Sequence, residues 1–165
     1  MRAGFQFPLA AVHNYHAENT VKDRNPLQEP QANVSAFYII DKERKAVLSS
    51  GTGILTAEDL MGHQDRLLKD PDFDPTFSQL LDFTRITGLE VSSEDVRRLA
   101  QRNVFSPASR RAFVVQDDLQ YGLARMFEIH RDIAGETGIR VFRTLDEAMN
   151  WIFSATPEDE PPVAV

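Results

Sequence analysis

Two short segments contain residue types that bind calcium or a nucleotide phosphate. In residues 70–75 three aspartates alternate with other residues, but a calcium loop needs glycine at its sixth position and glutamate at its twelfth, where Pro75 and Leu81 stand. Residues 51–56 begin like the dinucleotide-binding fingerprint G-x-G-x-x-G, yet Thr56 replaces the third glycine. We therefore interpret the first segment as a solvated turn and the second as a tight turn followed by a helix cap.

The histidines are too scattered to predict a catalytic or zinc site. His13 and His16 lie near the start of the chain, and His63 and His130 fall in predicted helices, with no zinc-type pair beside an acid. No nucleophile elbow supports a serine hydrolase, and the absence of cysteine excludes thiolate chemistry. The sequence thus predicts no catalytic residue, no metal and no cofactor.

Arginines concentrate around the second predicted helix and the loop after it, at Arg97, Arg98, Arg102, Arg110 and Arg111. The whole chain carries a net charge of −7, so this cluster is a local asymmetry. Guanidinium groups bind carboxylates and phosphates through forked hydrogen bonds. Two interpretations stay open: a solvated helix face that compensates the helix dipole, or a surface for an acidic partner or an anionic ligand.

Ser92 and Ser93 stand where this second helix begins, and they are predicted first of all to cap it. A phosphate on either hydroxyl would interact favourably with the helix dipole, whereas Glu94 and Asp95 would repel it. The pair therefore carries a second hypothesis, regulated phosphorylation.

Four polar residues follow one side of the third predicted helix: Tyr121, Arg125, Glu128 and Asp132. Their spacing of three and four residues favours a ladder of neighbouring side chains on the helix surface. The alternative is that Tyr121 and Arg125 line a crevice or a partner surface.

The composition is that of an ordinary globular domain. The 165 residues include 42% hydrophobic and 26% charged residues, and the negative net charge disfavours nucleic acid as a partner. No apolar run approaches the roughly 20 residues of a transmembrane helix. We expect a cytoplasmic protein with a single domain over residues 34–155, an irregular extension over residues 1–33 and a disordered acidic tail over residues 156–165.

Hydrophobic periodicity predicts an α/β domain with the element order β-β-α-β-α-β-α-β-α. The predicted strands cover residues 35–41, 45–51, 77–83, 112–115 and 139–143. The first two strands read as a hairpin, and the alternation that follows implies parallel pairing, so the sheet is mixed and mostly parallel with helices packed on it. Helices are predicted to begin after Thr56, after Ser92 or Ser93, and after Thr144. The remaining helix, residues 118–134, is expected to have Leu119, Phe127 and Ile133 on its inward face.

This element order, together with residues 80–97, resembles the STAS domains of bacterial anti-sigma-factor antagonists. In those proteins a strand ends in Asp, an apolar residue and Ser or Thr, and a second Asp precedes the regulated Ser. Residues 82–84, Asp-Phe-Thr, match the first part, and Glu90 falls where the second Asp would be. Val91 occupies the position of the regulated serine, so Ser92 and Ser93 are displaced from it.

The core is also similar to uncharacterised STAS/Sec14-like bacterial proteins, through residues 53–60 and 121–128. The resemblance implies a non-enzymatic module that binds another protein or itself near Ser92 and Arg97. The alternative is a carrier for a small apolar ligand or lipid, which would need an apolar pocket larger than about 300 Å³ between sheet and helices.

Overall fold

The computed structural model describes residues 35–154, so the predictions made for residues 1–33 and 156–165 lie outside it. Within that range the chain forms seven strands: β1 (Ala36–Asp41), β2 (Ala46–Gly51), β3 (Gly53–Thr56), β4 (Ser78–Asp82), β5 (Ile86–Glu90), β6 (Arg111–Val114) and β7 (Ile139–Phe142). It also forms four helices: α1 (Ala57–Lys69), α2 (Ser93–Ala100), α3 (Asp118–Ile133) and α4 (Leu145–Phe153).

Five of the strands form one mixed sheet in the order β1-β2-β4-β6-β7. β1 and β2 pair antiparallel as the predicted hairpin, and all other neighbours in this sheet pair in parallel. The helices that connect the parallel strands pack against the sheet. The predicted α/β class, with a mostly parallel sheet and helices packed on it, is therefore confirmed.

Two short strands that the sequence pattern did not predict form a second sheet. β3 and β5 pair in parallel, with Leu55 opposite Leu89. The two strands have four and five residues, and Gly88 interrupts the second, so neither shows an alternation long enough to identify a strand. This small sheet ends at Thr56 and Glu90, close to where α1 and α2 begin.

The helices cover the two faces of the five-stranded sheet unequally. α4 alone packs on one face, here called the α4 face, whose apolar core is formed by Leu48, Leu80, Ala112, Val114, Ala148 and Ile152. The buried polar residues Ser50 and Asp82 lie on the same face, near the ends of β2 and β4. α1, α2 and α3 pack on the other, here called the three-helix face, whose larger core includes Leu67, Val96, Leu99, Phe113 and Phe127. Because side chains alternate along a strand, Ala112 and Phe113 of β6 point to opposite faces.

The third helix buries a different stripe from the one predicted. Its buried residues are Gln120, Ala124, Phe127 and Arg131. Leu119 and Ile133, which were expected to face inward, are 62% and 79% exposed. That prediction was wrong because two polar side chains, Gln120 and Arg131, occupy inward positions where they find hydrogen-bond partners.

Candidate functional site

Three neighbouring strands place polar side chains on the three-helix face of the sheet, in what we call the polar row: Ser49 of β2, Gln79 of β4 and Arg111 of β6. Gln79 and Arg111 are directly paired across the parallel strands, and the Gln79 amide donates to the Ser49 hydroxyl at 3.1 Å. All three are at least 95% buried. Polar groups in such a position must be hydrogen-bonded to be tolerated, so their partners decide what the row can do.

His63 of α1 closes one end of the polar row. Its Nε2 lies 3.0 Å from the Ser49 hydroxyl oxygen, and its ring packs edge-on against Tyr38, with the ring centres 5.4 Å apart. Burial, with a smaller contribution from the charge of Arg66, lowers the pKa of His63 to about 4. His63 is therefore neutral at pH 7 and acts as a hydrogen-bonding core residue.

At the other end of the row, Arg111 belongs to what we call the arginine cluster: Arg111, Arg131 and Glu136. The Glu136 carboxylate accepts from Arg131 Nε at 2.8 Å and is also bonded by an Nη2 group of each arginine. Arg131 additionally donates to the carbonyl oxygen of Ala100, at the end of α2, where a cation is favourable for the helix dipole. All three charged side chains are buried.

The arginine cluster contains more positive than negative charge. Two guanidinium groups share one carboxylate, which leaves one positive charge uncompensated within the cluster. Burial and the neighbouring charge of Arg131 lower the pKa of Arg111 to about 9, so Arg111 is still protonated at pH 7. A buried cation of this kind favours an anion beside it.

A cavity of about 80 Å³ lies between the polar row and the helices above it. Its walls are mostly apolar and include Leu60, Phe83, Leu99 and Phe127. Its polar lining consists of His63, Gln64, Gln79, Arg111 and Gln120. Among the described residues, Arg111 Nε and Gln64 Oε1 are buried atoms of this lining that have no hydrogen-bond partner. The lining of the cavity is therefore mostly apolar, with a few polar side chains that are not fully hydrogen-bonded.

The predicted serines lie at the start of α2 but differ in their surroundings. Ser92 is the N-cap: its hydroxyl oxygen accepts from the Asp95 amide at 3.2 Å and donates to the Asp95 carboxylate at 2.6 Å. The hydrogen bonds that the Asp95 carboxylate accepts from the Ser92 hydroxyl and from the Ser92 amide lower the pKa of Asp95. Ser93 is the first helical residue and is exposed. The predicted cap is confirmed at Ser92.

The five predicted arginines do not form one surface. Arg97 and Arg98 are exposed and lie near Glu94 of their own helix, at 2.6 and 3.9 Å. Arg102 pairs with Asp65 of α1. Arg110 donates to the carbonyl oxygens of Trp151 and Ser154, both at 2.8 Å. Arg111 is buried, because β6 begins at Arg111 itself and helices cover both faces of that strand.

Tyr121 and Arg125 do not line the cavity. The Tyr121 ring lies beneath the guanidinium group of Arg143, 4.5 Å from it, and Arg125 pairs with Glu128 at 2.6 Å. The helix residues that line the cavity instead include Gln120, Leu123 and Ala124. The geometry thus favours the interpretation of these residues as a ladder on the surface of α3, and not as the lining of a crevice.

Residues 70–75 lie in a turn, as predicted, whereas residues 51–56 connect β2 to β3 at Thr52 and continue as β3 to the cap of α1. Gly53 has φ +67, a conformation that favours glycine, and Thr56 caps α1 through reciprocal hydrogen bonds with Asp59. Asp74 accepts hydrogen bonds from the Thr76 amide and hydroxyl, which lowers the pKa of Asp74. Within residues 35–154 no three His, Asp or Glu side chains come together as metal ligands would. No helix in that range is long and apolar enough to cross a bilayer.

No protein-family profile matches the chain, and no curated protein matches it in sequence. Solved structures that are similar to this chain include two bacterial proteins. One is an uncharacterised DUF3478-family protein with a SpoIIAA-like fold from Shewanella loihica PV-4: 20% identity, TM-score 0.49, covering 75% of this chain and 99% of that one. The other is an anti-sigma factor antagonist from Mycobacterium paratuberculosis: 12% identity, TM-score 0.49, covering 74% of this chain and 97% of that one. Both have the STAS-type fold that the sequence predicted.

Proposed function

We propose that this chain is a non-enzymatic regulatory module that binds a partner protein through the start of α2. The observation that carries the proposal is the exposure of Ser93, Arg97 and Arg98 on one short helix. The resemblance of residues 80–97 to anti-sigma-factor antagonists supports the same location. We further propose a cytoplasmic location, as expected for an acidic chain without cysteine.

The two exposed arginines are available to a partner at little energetic cost. Their ion-pair partner is Glu94, and the side chains of Arg97, Arg98 and Glu94 are each more than half exposed. Exposed pairs of this kind contribute about 0–1 kcal/mol, so exchanging Glu94 for a carboxylate of a partner loses little. The proposed partner therefore presents an acidic surface.

The serines define how such binding could be regulated. The Ser92 hydroxyl is committed to the cap of α2, so a phosphate there would break two hydrogen bonds and meet the Asp95 carboxylate. Ser93 is exposed beside the cap, and it is the hydroxyl that we propose for modification.

Charge reversal tests the proposed surface. Arg97→Glu with Arg98→Glu is compared with Arg140→Glu and Arg143→Glu, an equal charge change at exposed positions on and beside β7. We expect a protein captured from a lysate of the host by the wild-type chain to be recovered about tenfold less by the first variant, and unchanged by the second. Equal recovery by both variants would refute this surface, and sedimentation of the purified chain would show whether the partner is a second copy.

The alternative, a lipid carrier, is not favoured by the interior. The cavity of about 80 Å³ is well below the roughly 300 Å³ at which pockets for larger ligands begin. Extraction of purified protein with organic solvent, followed by mass spectrometry, should therefore release no stoichiometric lipid.

A further inference from the structure

We propose that the cavity under α1, α2 and α3 binds a small carboxylate with a short apolar body, whose carboxylate pairs with the guanidinium group of Arg111. This site is separate from the partner surface proposed above, because Arg97 and Arg98 do not line the cavity.

The first argument is the charge of the arginine cluster. Arg111 and Arg131 share the single carboxylate of Glu136, and all three side chains are at most 5% exposed. Burying an uncompensated cation is expensive, whereas a second carboxylate beside it would restore neutrality. An anion in the cavity supplies that charge at the place where the protein lacks it.

The second argument is that the guanidinium group of Arg111 is only partly hydrogen-bonded. Its Nη2 donates to Glu136, its Nε is enclosed without a partner among the described residues, and the Arg111 side chain forms part of the cavity wall. Guanidinium N–H groups bind carboxylate oxygens with strong, charge-assisted hydrogen bonds. A carboxylate beside Arg111 would therefore supply both a hydrogen-bond acceptor and the negative charge that the arginine cluster lacks.

The third argument is that Arg111 is already held in place. Its guanidinium carbon lies 5.5 Å from the ring centre of Phe105 and 5.7 Å from that of Phe127. Together with the bond to Glu136, these rings fix the group before any ligand arrives. A fixed donor loses little conformational entropy on binding, which favours recognition of a small molecule.

The size and walls of the cavity define the rest of the ligand. The volume of about 80 Å³ is several times the roughly 10–15 Å³ that one water molecule requires on the same measure, so the cavity has room for a small organic acid. Leu60, Phe83, Leu99 and Phe127 would contact its apolar part, which gains free energy by leaving water. Nucleotides and long-chain acids do not fit this volume.

The test uses the full chain labelled with ¹⁵N and titrated with acetate, propionate and isobutyrate at constant ionic strength. We expect saturable shifts of the Arg111 Nε–Hε resonance with a dissociation constant for propionate or isobutyrate in roughly the millimolar range. Isobutyramide, which keeps the shape and lacks the charge, should bind at least about tenfold more weakly. No saturable shift with any acid, or equal binding of the amide, would overturn the proposal.

Two variants and one control locate the site. Arg111→Gln removes the charge but leaves Arg131 paired with Glu136. Because it also removes the Nε–Hε reporter, binding to this variant is followed through the backbone amides of the cavity residues Leu99 and Leu123, and the substitution should abolish saturation. Ala124→Leu fills the cavity from α3 and should do the same with every charge retained. Arg110→Gln changes the preceding residue, whose side chain lies against Trp151, and should bind isobutyrate like the wild type. If Arg111→Gln does not fold, Ala124→Leu decides alone: unchanged isobutyrate binding would show that the cavity is not the site.

Discussion

The two faces of the sheet are built on different principles. On the α4 face, Leu48, Leu80, Ala112 and Val114 meet Ala148 and Ile152, while the buried polar residues Ser50 and Asp82 lie near the strand ends. On the three-helix face, the same three central strands carry Ser49, Gln79 and Arg111, and a cavity remains above them. An apolar interface stabilises by burial alone, whereas a polar one stabilises only when every group is paired.

The contrast points to the three-helix face as the part of the molecule whose composition is not explained by packing alone. Replacing a buried ion cluster by apolar residues of similar volume is often neutral or stabilising. The arginine cluster is therefore poorly explained by stability alone, and we infer that its charge serves recognition. The α4 face needs no such explanation, since its composition is what packing requires.

The largest effect is expected from removing the shared anion of the three-helix face. Glu136→Ala leaves Arg111 and Arg131 buried without a carboxylate, so we expect a loss of about 3–5 kcal/mol in the free energy of unfolding. Urea denaturation at pH 7 measures it. A loss below about 1 kcal/mol would mean that water already compensates the two guanidinium groups.

A comparable change on the α4 face should act through packing. Leu80 is 1% exposed, and Leu80→Ala should lower the free energy of unfolding by about 2–4 kcal/mol through lost burial and the space left behind. The same urea titrations at pH 7 and pH 5 should give nearly equal losses, because the Leu80 side chain packs against apolar neighbours. A strongly pH-dependent loss would show that the two faces are coupled.

Lowering the pH should weaken the three-helix face and not the α4 face, because the three-helix face contains the buried His63. Its pKa is about 4 in the folded chain and about 6.5 when unfolded, so below pH 6.5 the unfolded state takes up the proton first. Stability from the neutral His63 is complete above pH 6.5 and is lost as the pH falls towards 4.

Between pH 7 and pH 5 this loss amounts to about 2 kcal/mol. His63→Gln should reduce the fall in unfolding free energy over that range by about the same amount. The residues around the ring, Tyr38, Ser49 and Arg66, are unchanged in this variant, so the comparison with the wild type isolates the contribution of His63. An unchanged pH dependence in His63→Gln would show that His63 is not held neutral.

The smallest effects should be equal on both faces. Ser92 caps α2 on the three-helix face, and Thr144 caps α4 on the other. Ser92→Ala and Thr144→Ala should each lower the free energy of unfolding by about 1 kcal/mol. Thermal unfolding of the two variants compares them directly. A difference above about 1 kcal/mol would show that the helices, and not only the sheet residues, contribute unequally to the stability of the two faces.

Features that depend on neighbouring residues were predictable from the sequence. Thr56, Thr144 and either Ser92 or Ser93 were identified as caps because a capping residue acts on an amide three positions away, and the structure places the second cap at Ser92. The hairpin of β1 and β2 was predicted for the same reason, since its strands are separated by a short turn. Element type and order follow from such local signals.

The candidate site depends on contacts that no local signal contains. Arg111 pairs with Glu136, 25 residues away, and Gln79 bonds to Ser49 across 30 residues. One signal was present: Ala112–Val115 was recognised as a buried strand, and extending it back by one residue puts Arg111 on the side of Phe113. Leu119 and Ile133 were misplaced because polar residues were assumed to face outward.

The strand order β1-β2-β4-β6-β7 rises without exception along the sequence. During synthesis, which proceeds from the N-terminus at about 5–20 residues per second, each new strand of this sheet can add to the edge left by the one before it. No strand has to insert between two that are already paired. Because Glu136 follows Arg111 by 25 residues, the carboxylate that neutralises the buried guanidinium group is synthesised after β6 is complete.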